Sequence, residues 1–416
     1  MGRAPLRLQW PNVCPVVRRA TTRVLRACLV GLALVPLATL GALELGASAR
    51  ADATPRPPSF PLPLPSVPSS LPTLPGAPTG SNPAPPPGGN PLAGDRFFVD
   101  PKSAVAKAAR WYPALNVIAR EPGTERFGSF SFGANGVPDI AVAVSRYLTR
   151  VSLQAPGTVP MLATYRVVDG HCGNWADPPI DQAAYHNFIE GFAQAIGSTK
   201  AVLFLEMDSL ITTPCLSPQG VDVRMHELRD AINVLTANCP GLVIYLDAGA
   251  ADALPARTTA NLLNRAGVAK IQGFFLNATH FDWTSREIKY GEQISRMTGG
   301  KHFVVNTGEN GQGPLVPKDV ARDGNEVLCN PPGRGLGPRP TANTGYPNVD
   351  AFAWTSNPGE SGGRCVPGAP PTGVFWPAYA LMLVHNANFN VGPAAPARAA
   401  GRHRTDRRRR TPPTAR

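Results

Sequence analysis

Ala201-Val202-Leu203-Phe204-Leu205-Glu206-Met207-Asp208-Ser209-Leu210 is an apolar run followed at once by two carboxylates. Five consecutive apolar residues predict a strand buried on both faces, as in a parallel sheet wrapped by helices. Glu206 and Asp208 stand where that strand ends. In barrel-like α/β folds chemistry sits at the C-terminal ends of the strands, so both would face a site. Asp208 read as the cap of a following helix is the competing role, and this stretch alone weighs the two about evenly. Other strand ends in the chain carry residues of the same kind, which favours the site.

Working outward, apolar runs recur at Phe97-Phe98-Val99, Val159 to Val167, Leu242 to Leu246, Ile271 to Leu276, His302 to Val305 and Val349 to Trp354. Helical patterns fall between them at Gln182 to Ile196, Arg224 to Ala237, Arg257 to Ala266 and Ser285 to Thr298. Strand–helix alternation predicts an α/β fold with a parallel sheet. About seven strands in one body suggest a barrel, or a nearly closed one, over a doubly wound sheet. The residues after these runs are Tyr165 with Asp169 and His171, Glu206 with Asp208, Asp247, Asn277 with His280, Asn306 with Glu309, and Glu360. Carboxylates, amides and imidazoles would therefore converge on one cleft. No Ser-His-Asp elbow and no phosphate-cradling loop stands among these strand ends. A neutral cleft of this kind suits a polyol such as a sugar.

The chain has 416 residues, 43% hydrophobic, with 47 prolines and a net charge of +12. Between Asp95 and Ala395 there are 24 Lys+Arg and 25 Asp+Glu, so the body is near neutral and the basic excess lies in the two ends. That argues against phosphate-backbone binding by the fold, and no nucleic-acid partner is expected. Residues 1–51 combine Arg18, Arg19, Arg23 and Arg26 with an apolar run from Cys28 to Ala47 and small-residue cleavage patterns. This is a secretory signal layout, with an uncleaved anchor as the alternative. Residues 52–93 are proline-rich and predict an extended spacer. Residues 94–396 form the expected body, and 397–416 a basic tail with Arg407-Arg408-Arg409-Arg410. Secretion or attachment to the cell envelope follows, with membrane or wall association through the ends and a monomeric body. Cys14 and Cys28 lie in the signal region, leaving Cys172, Cys215, Cys239, Cys329 and Cys365. Export favours disulfides, and no Cys/His spacing suggests a metal. Cys239, before Pro240, is expected to be the free thiol.

The landmarks Glu206-Met207-Asp208-Ser209-Leu210, Tyr245-Leu246-Asp247-Ala248-Gly249 and Gly273-Phe274-Phe275-Leu276-Asn277 are followed by Asn310-Gly311-Gln312-Gly313-Pro314. Next come Cys329-Asn330-Pro331-Pro332-Gly333-Arg334-Gly335-Leu336-Gly337 and Pro358-Gly359-Glu360-Ser361. In order and spacing the body resembles glycoside hydrolase family 6, the secreted endoglucanases and cellobiohydrolases of β-1,4-glucan. The resemblance implies a distorted, incomplete (β/α) barrel of about seven parallel strands, hydrolysis with inversion, a polysaccharide or oligosaccharide substrate and no cofactor. Asp208 would be the general acid, its pKa raised by burial or by a neighbouring carboxylate, Glu206 or Asp247. Tyr165 would press on the reacting sugar, while Asp247, Asn277, Asn306 and Glu360 would bind or organise it; Asn277 also reads as a structural amide. The resemblance maps disulfides onto Cys172–Cys215 and Cys329–Cys365.

Departures concentrate in the cleft. His171 stands where the family carries an Asp that supports the acid, and Gly362 where it carries its proposed base. A sugar-contacting lysine is Ser356. A His of the family is Ala250, its tryptophans are Ala253, Ala256 and Leu328, and the Asp and Arg of a further motif become Asn306 and Glu309. Asp169, Asp177 and His171 are the candidate replacements for activating water, and Trp111, Trp175, Trp283 and Trp354 for stacking. The rival reading is a carbohydrate-binding envelope protein that kept the fold and lost the chemistry.

Overall fold

Seven parallel strands lie side by side in their sequence order, β1 to β7. The computed structural model describes residues 89–128, 138–167, 182–315 and 329–389. The signal region, nearly all of the proline-rich segment and the basic tail lie outside them. Among the described residues no helix is long and apolar enough to cross a membrane.

The strands are β1 Thr124–Gly128, β2 Met161–Tyr165, β3 Ala201–Leu205, β4 Leu242–Asp247, β5 Gly273–Leu276, β6 His302–Asn306 and β7 Val349–Ala353. Helices α1 Ala104–Ala108 and α2 Asn116–Ala119 precede β1, and α3 Ile140–Gln154 leads to β2. Then α4 Gln182–Ile196, α5 Pro218–Asn238, α6 Ala256–Ala266 and α7 Thr284–Met297 alternate with β3 to β6, and α8 Pro377–His385 follows β7. The sheet curls into an incomplete barrel, as the sequence predicts.

Alternation along each strand separates two cores. Leu162, Leu203, Leu246, Phe274 and Phe303 pack outward against the helices. Ala163, Phe204, Tyr245, Phe275 and Val304 fill the barrel interior. Both faces are apolar because both are covered, so these strands read as continuous hydrophobic runs rather than alternating ones.

The first strand differs from expectation. Phe97-Phe98-Val99 makes only an isolated bridge, Phe97 to Val159. The strand beside β2 is instead Thr124-Glu125-Arg126-Phe127-Gly128, whose two central charges disguise it. At the end of the sheet Phe127 alone supplies its outward anchor, edge-on to Tyr147 and Phe192, and the charges are tolerated because no further strand pairs there. The packed body also begins before residue 94. Leu92 is buried in the barrel interior, and Asn90 Nδ2 donates to the carbonyls of Ala342 and Asp350.

Side chains close the seam between β7 and β1. The Asn357 amide accepts from Thr124 N–H at 2.9 Å and donates to Thr124 C=O at 2.8 Å. Thr124 Oγ1 donates to Trp354 C=O at 2.9 Å. One carboxamide thus replaces the ladder bonds an eighth strand would make, and it sets the loop after β7 against Arg126 on β1.

Cys329 is joined to Cys365. Cys239 is the free, buried cysteine among those described, and burial pushes its thiol up to about 11. Cys215 is oxidised, while Cys172, its expected partner, lies outside the described residues.

Candidate active site

Among the described non-glycine residues, positive φ occurs at Glu206 (52°), Asp208 (65°) and Asn277 (68°). All three lie just past the C-terminal ends of β3 and β5. Left-handed backbone is uncommon outside glycine and clusters at functional sites, because the surroundings must hold it there.

Glu206 is fully buried. Its Oε2 accepts the N–H groups of Arg166 at 2.7 Å and Val167 at 2.8 Å, and its own N–H donates to Thr164 Oγ1 at 3.0 Å. Burial raises its carboxyl, against the pull of these donors. Glu206 is therefore a brace that fixes the chain leaving β2. Beyond that point Asp169, His171, Cys172, Trp175 and Asp177 lie outside the described residues.

Asp208 is partly exposed and receives a hydrogen bond from Thr279 Oγ1 to Oδ1 at 2.6 Å. Burial pushes its carboxyl above the ordinary range, opposed by Thr279, the His280 charge, a hydrogen bond with Tyr165 and the Arg126 charge. Among the described residues Asp208 makes no ion pair. It is thus held by hydroxyls that tolerate either protonation state, and it is neither turned into the core nor neutralised by a cation. Tyr165 is buried at the inner end of β2, against this carboxyl.

Asp247 lies deeper, 1% exposed, with Oδ2 accepting Gly249 N–H at 3.2 Å. Burial, then the charge of Asp208, holds its carboxyl well above the usual range. Of the two causes open from sequence, burial is the one that raises Asp208, and Asp208 in turn further raises Asp247. Two adjacent carboxyls that resist being charged together are a ready store for a transferable proton.

The amides Asn277 and Asn306 are spent on the backbone. Asn277 Nδ2 donates to the carbonyls of Asp282 and Asn306, and its Oδ1 accepts Asp282 N–H. Asn306 Nδ2 donates to Asn277 C=O at 2.9 Å, and its Oδ1 accepts Thr355 N–H at 3.0 Å. Together they tie the ends of β5, β6 and β7 and so shape the floor of the site. Of the two roles open to Asn277 from sequence, the structural one accounts for every one of these bonds.

On the other side, Glu360 Oε2 lies 3.3 Å from Arg126 Nη2 and its Oε1 accepts from Asn357 Nδ2 at 2.9 Å. Glu309 Oε1 accepts Gly359 N–H at 3.1 Å, and Tyr379 Oη donates to its Oε2 at 3.4 Å. Burial carries Glu309 up to about 7; Glu360 adds to the shift while Gly359, Tyr379 and Arg126 oppose it. At Gly362 a Cβ would sit 2.4 Å from the Cys329 carbonyl oxygen. The glycine there is a packing requirement of the Cys329–Cys365 corner, and any larger residue would displace the turn.

Trp283 is 43% exposed at the start of α7. A Cβ on Gly313, where φ is +64°, would fall 2.1 Å from the Trp283 ring, so glycine lets the indole lie against the backbone. Trp283 shares its loop with Thr279, the donor to Asp208. Trp354 is buried and donates to Pro338 C=O, a core role, and Trp111 is 82% exposed on the turn after α1.

A second acidic group, invisible in the sequence because it joins separate segments, brings Asp252, Asp282 and Glu287 within 4.8 Å of one another. Its charges are compensated internally. His280 Nδ1 lies 2.8 Å from Asp252 and Arg286 Nη1 3.3 Å from Asp282. Burial, with those two carboxylates, holds Glu287 well above its usual range, against Ala251 N–H and His280. Sequence reading also missed Arg126, concealed in an unrecognised strand, and Thr279, two residues past Asn277.

Comparison with known proteins gives a consistent picture. The family model described as glycosyl hydrolases family 6 matches residues 93–387. The chain is 33% identical over 300 residues to endoglucanase A of Cellulomonas fimi, covering 70% of this chain and 62% of that protein's length. It is 31% identical over 307 residues to endoglucanase 1 of Streptomyces halstedii, covering 70% and 88%. The structure resembles the endoglucanase Cel6 from Mycobacterium tuberculosis in complex with methyl-cellobiosyl-4-deoxy-4-thio-β-D-cellobioside. That match has a TM-score of 0.64 and 37% identity, covering 72% of this chain and 99% of the other.

Proposed function

The chain belongs to glycosyl hydrolases family 6, and from that premise we propose that it is an exported glucanase cleaving β-1,4-linked glucan or a related polysaccharide with inversion. Asp208 protonates the departing glycosidic oxygen while water attacks the anomeric carbon from the opposite face. Tyr165 steadies Asp208, and Asp247 keeps the second proton nearby. Asn277 and Asn306 hold the floor, and Glu360 with Arg126 forms a polar wall that suits sugar hydroxyls. The observation that carries the reading is Asp208 itself: partly exposed at the end of β3, raised by burial, held by Thr279 and Tyr165 and, among the described residues, making no ion pair. The endoglucanase with a cello-oligosaccharide analogue in its site supports the substrate class. The N-terminal signal layout supports export, and the near-neutral body suits an uncharged polymer.

The test is hydrolysis of cello-oligosaccharides and soluble cellulose derivatives, with the first product's anomer read by proton NMR. New α-anomer from a β-linkage is expected. No reducing ends from any β-glucan between pH 4 and 8 would overturn the reading. Gly362, which has no room for a carboxylate, favours one alternative, a binding protein without turnover. Oligosaccharide binding that survives Asp208→Asn, with no product from either form, would establish that alternative.

Trp283 offers a stacking face in place of the lost platforms. Trp283→Ala is expected to raise KM for long oligosaccharides about 2–10-fold, the range an aromatic contact supplies, with kcat within about twofold. Unchanged KM across chain lengths would remove Trp283 from the binding surface.

A further inference from the structure

Inverting hydrolysis needs a group to take the proton from the attacking water, and Gly362 has none to offer. The turn that holds Gly362 is nevertheless in contact with a carboxylate from another strand. Glu309, three residues past the end of β6, reaches Gly359 N–H with one oxygen and Tyr379 Oη with the other. Both partners are neutral donors, and each carboxylate oxygen keeps a second lone pair. Glu309 is partly exposed. Glu360, its neighbour in the cluster, is committed differently, with Oε2 on Arg126 and Oε1 on Asn357.

Arg126 ties this cluster to the acid. Its guanidinium lies 3.3 Å from Glu360, and its charge also favours the ionised forms of Asp208 and Glu309. Three changes in the chain are mutually consistent. The carboxylate is gone from 362, the lysine from 356, and a glutamate stands at 309 where the family has an arginine. Charge has moved from the turn itself to the strand end beneath it.

We infer that Glu309 is the proton acceptor for the attacking water, in place of the carboxylate that Gly362 cannot carry; the inference presupposes the hydrolytic reading above. In the step, the water oxygen bonds to the anomeric carbon and its proton passes to a Glu309 oxygen, directly or through one intervening water. The bond from that carbon to the glycosidic oxygen breaks, and the oxygen takes the Asp208 proton. Glu309 then releases its proton to solvent and Asp208 regains one, so each turnover consumes one water.

The groups facing Glu309 are Glu360, Arg126 and the Tyr379 hydroxyl. Glu360 discourages its ionisation, while Arg126 and the Tyr379 hydrogen bond favour it. A value of about 7 places the change from acid to base within the working range. The rate should rise with pH through this window as Glu309 ionises.

The experiment compares full-length wild type with Glu309→Gln and Glu309→Ala on an unactivated cello-oligosaccharide. Glu309→Gln, which can still accept Gly359 N–H, is expected to lose about 10²–10⁴-fold in kcat/KM. Its oligosaccharide Kd should stay within about threefold, and the rise in rate towards pH 7 should disappear. Sodium azide needs no deprotonation, so it should restore turnover to Glu309→Ala and give an α-glycosyl azide. A merely structural glutamate would show neither the lost pH limb nor the azide product. Wild-type rate and pH profile in Glu309→Gln, or a loss with the acid limb intact and no azide product, overturns the inference while the hydrolytic reading stands. A silent wild type overturns both.

Discussion

Asp208→Asn is expected to lower kcat on unmodified cello-oligosaccharides by about 10²–10⁴-fold, the usual contribution of a positioned proton donor. Asparagine is close to isosteric, and its carbonyl oxygen can still accept from Thr279 Oγ1 as the carboxylate does. Oligosaccharide affinity should therefore stay within a few fold. What asparagine cannot do is give up a proton to the departing oxygen. The deficit should consequently depend on the leaving group: large for a sugar alkoxide, and much smaller for an aryl glycoside whose phenolate leaves unaided. Kinetics on the two substrate types separates this from general damage to the site, because a distorted cleft would lose both equally. A second readout lies in Asp247, whose carboxyl is raised partly by the charge of Asp208. In the variant that contribution vanishes, so the Asp247 carboxyl should titrate lower, observable by carboxyl-labelled NMR. Equal losses on both substrates would remove Asp208 from the role of acid.

The elements that the sequence made legible are those whose burial is local and repetitive. Ala201–Leu205 reads as a strand because both of its faces are covered, and Gln182–Ile196 reads as a helix because Tyr185, Ile189, Phe192, Ala193 and Ile196 recur on one face. Asp208 was legible as a candidate acid because a strand end places it. Thr124–Gly128 escaped because it lies at the end of the sheet, with a single aromatic anchor and charges turned to partners that only the tertiary fold supplies. Asn277 and Asn306 were visible as amides at strand ends, but their cross-bracing depends on three strands meeting. The Glu309–Gly359 contact joins residues fifty apart, and no periodicity encodes it. The closure at Gly362 likewise appears only when Cys329 is folded against it.

The same crowding of carboxyls should make the body more stable in mild acid than at neutral pH. Burial raises Glu206, Asp208, Asp247, Glu287, Glu309 and Glu360 above their ordinary values. Each holds its proton more tightly folded than unfolded, so between the two pKa values the native state binds more protons. Stability then falls as pH rises through that interval. For these groups the contribution is fully present below about 4, the unfolded carboxylate range, and for Glu309 it is gone above about 7. His186, raised by its hydrogen bond to Asp230, acts in the same direction across the upper part of that range. Glu309 alone, moved from 4.5 to about 7, accounts for at most about 3 kcal/mol before solvent screening is allowed for. Together the six should shift the melting temperature by on the order of 5–10 °C between pH 5 and pH 8. Many proteins lose stability over that range on acidification, because their carboxylates sit in ion pairs; here, among the described residues, only Glu360 of the six makes one, with Arg126. The measurement is the thermal or urea midpoint against pH for wild type and Glu309→Gln. The variant should flatten the slope between about pH 4.5 and pH 7, the interval over which Glu309 holds its proton folded but not unfolded, since glutamine is neutral throughout. A wild-type midpoint that rises from pH 5 to pH 8 would mean that these carboxyls are ionised in the folded protein. Such a rise would remove the shared effect of burial that also favours the protonated form of Asp208.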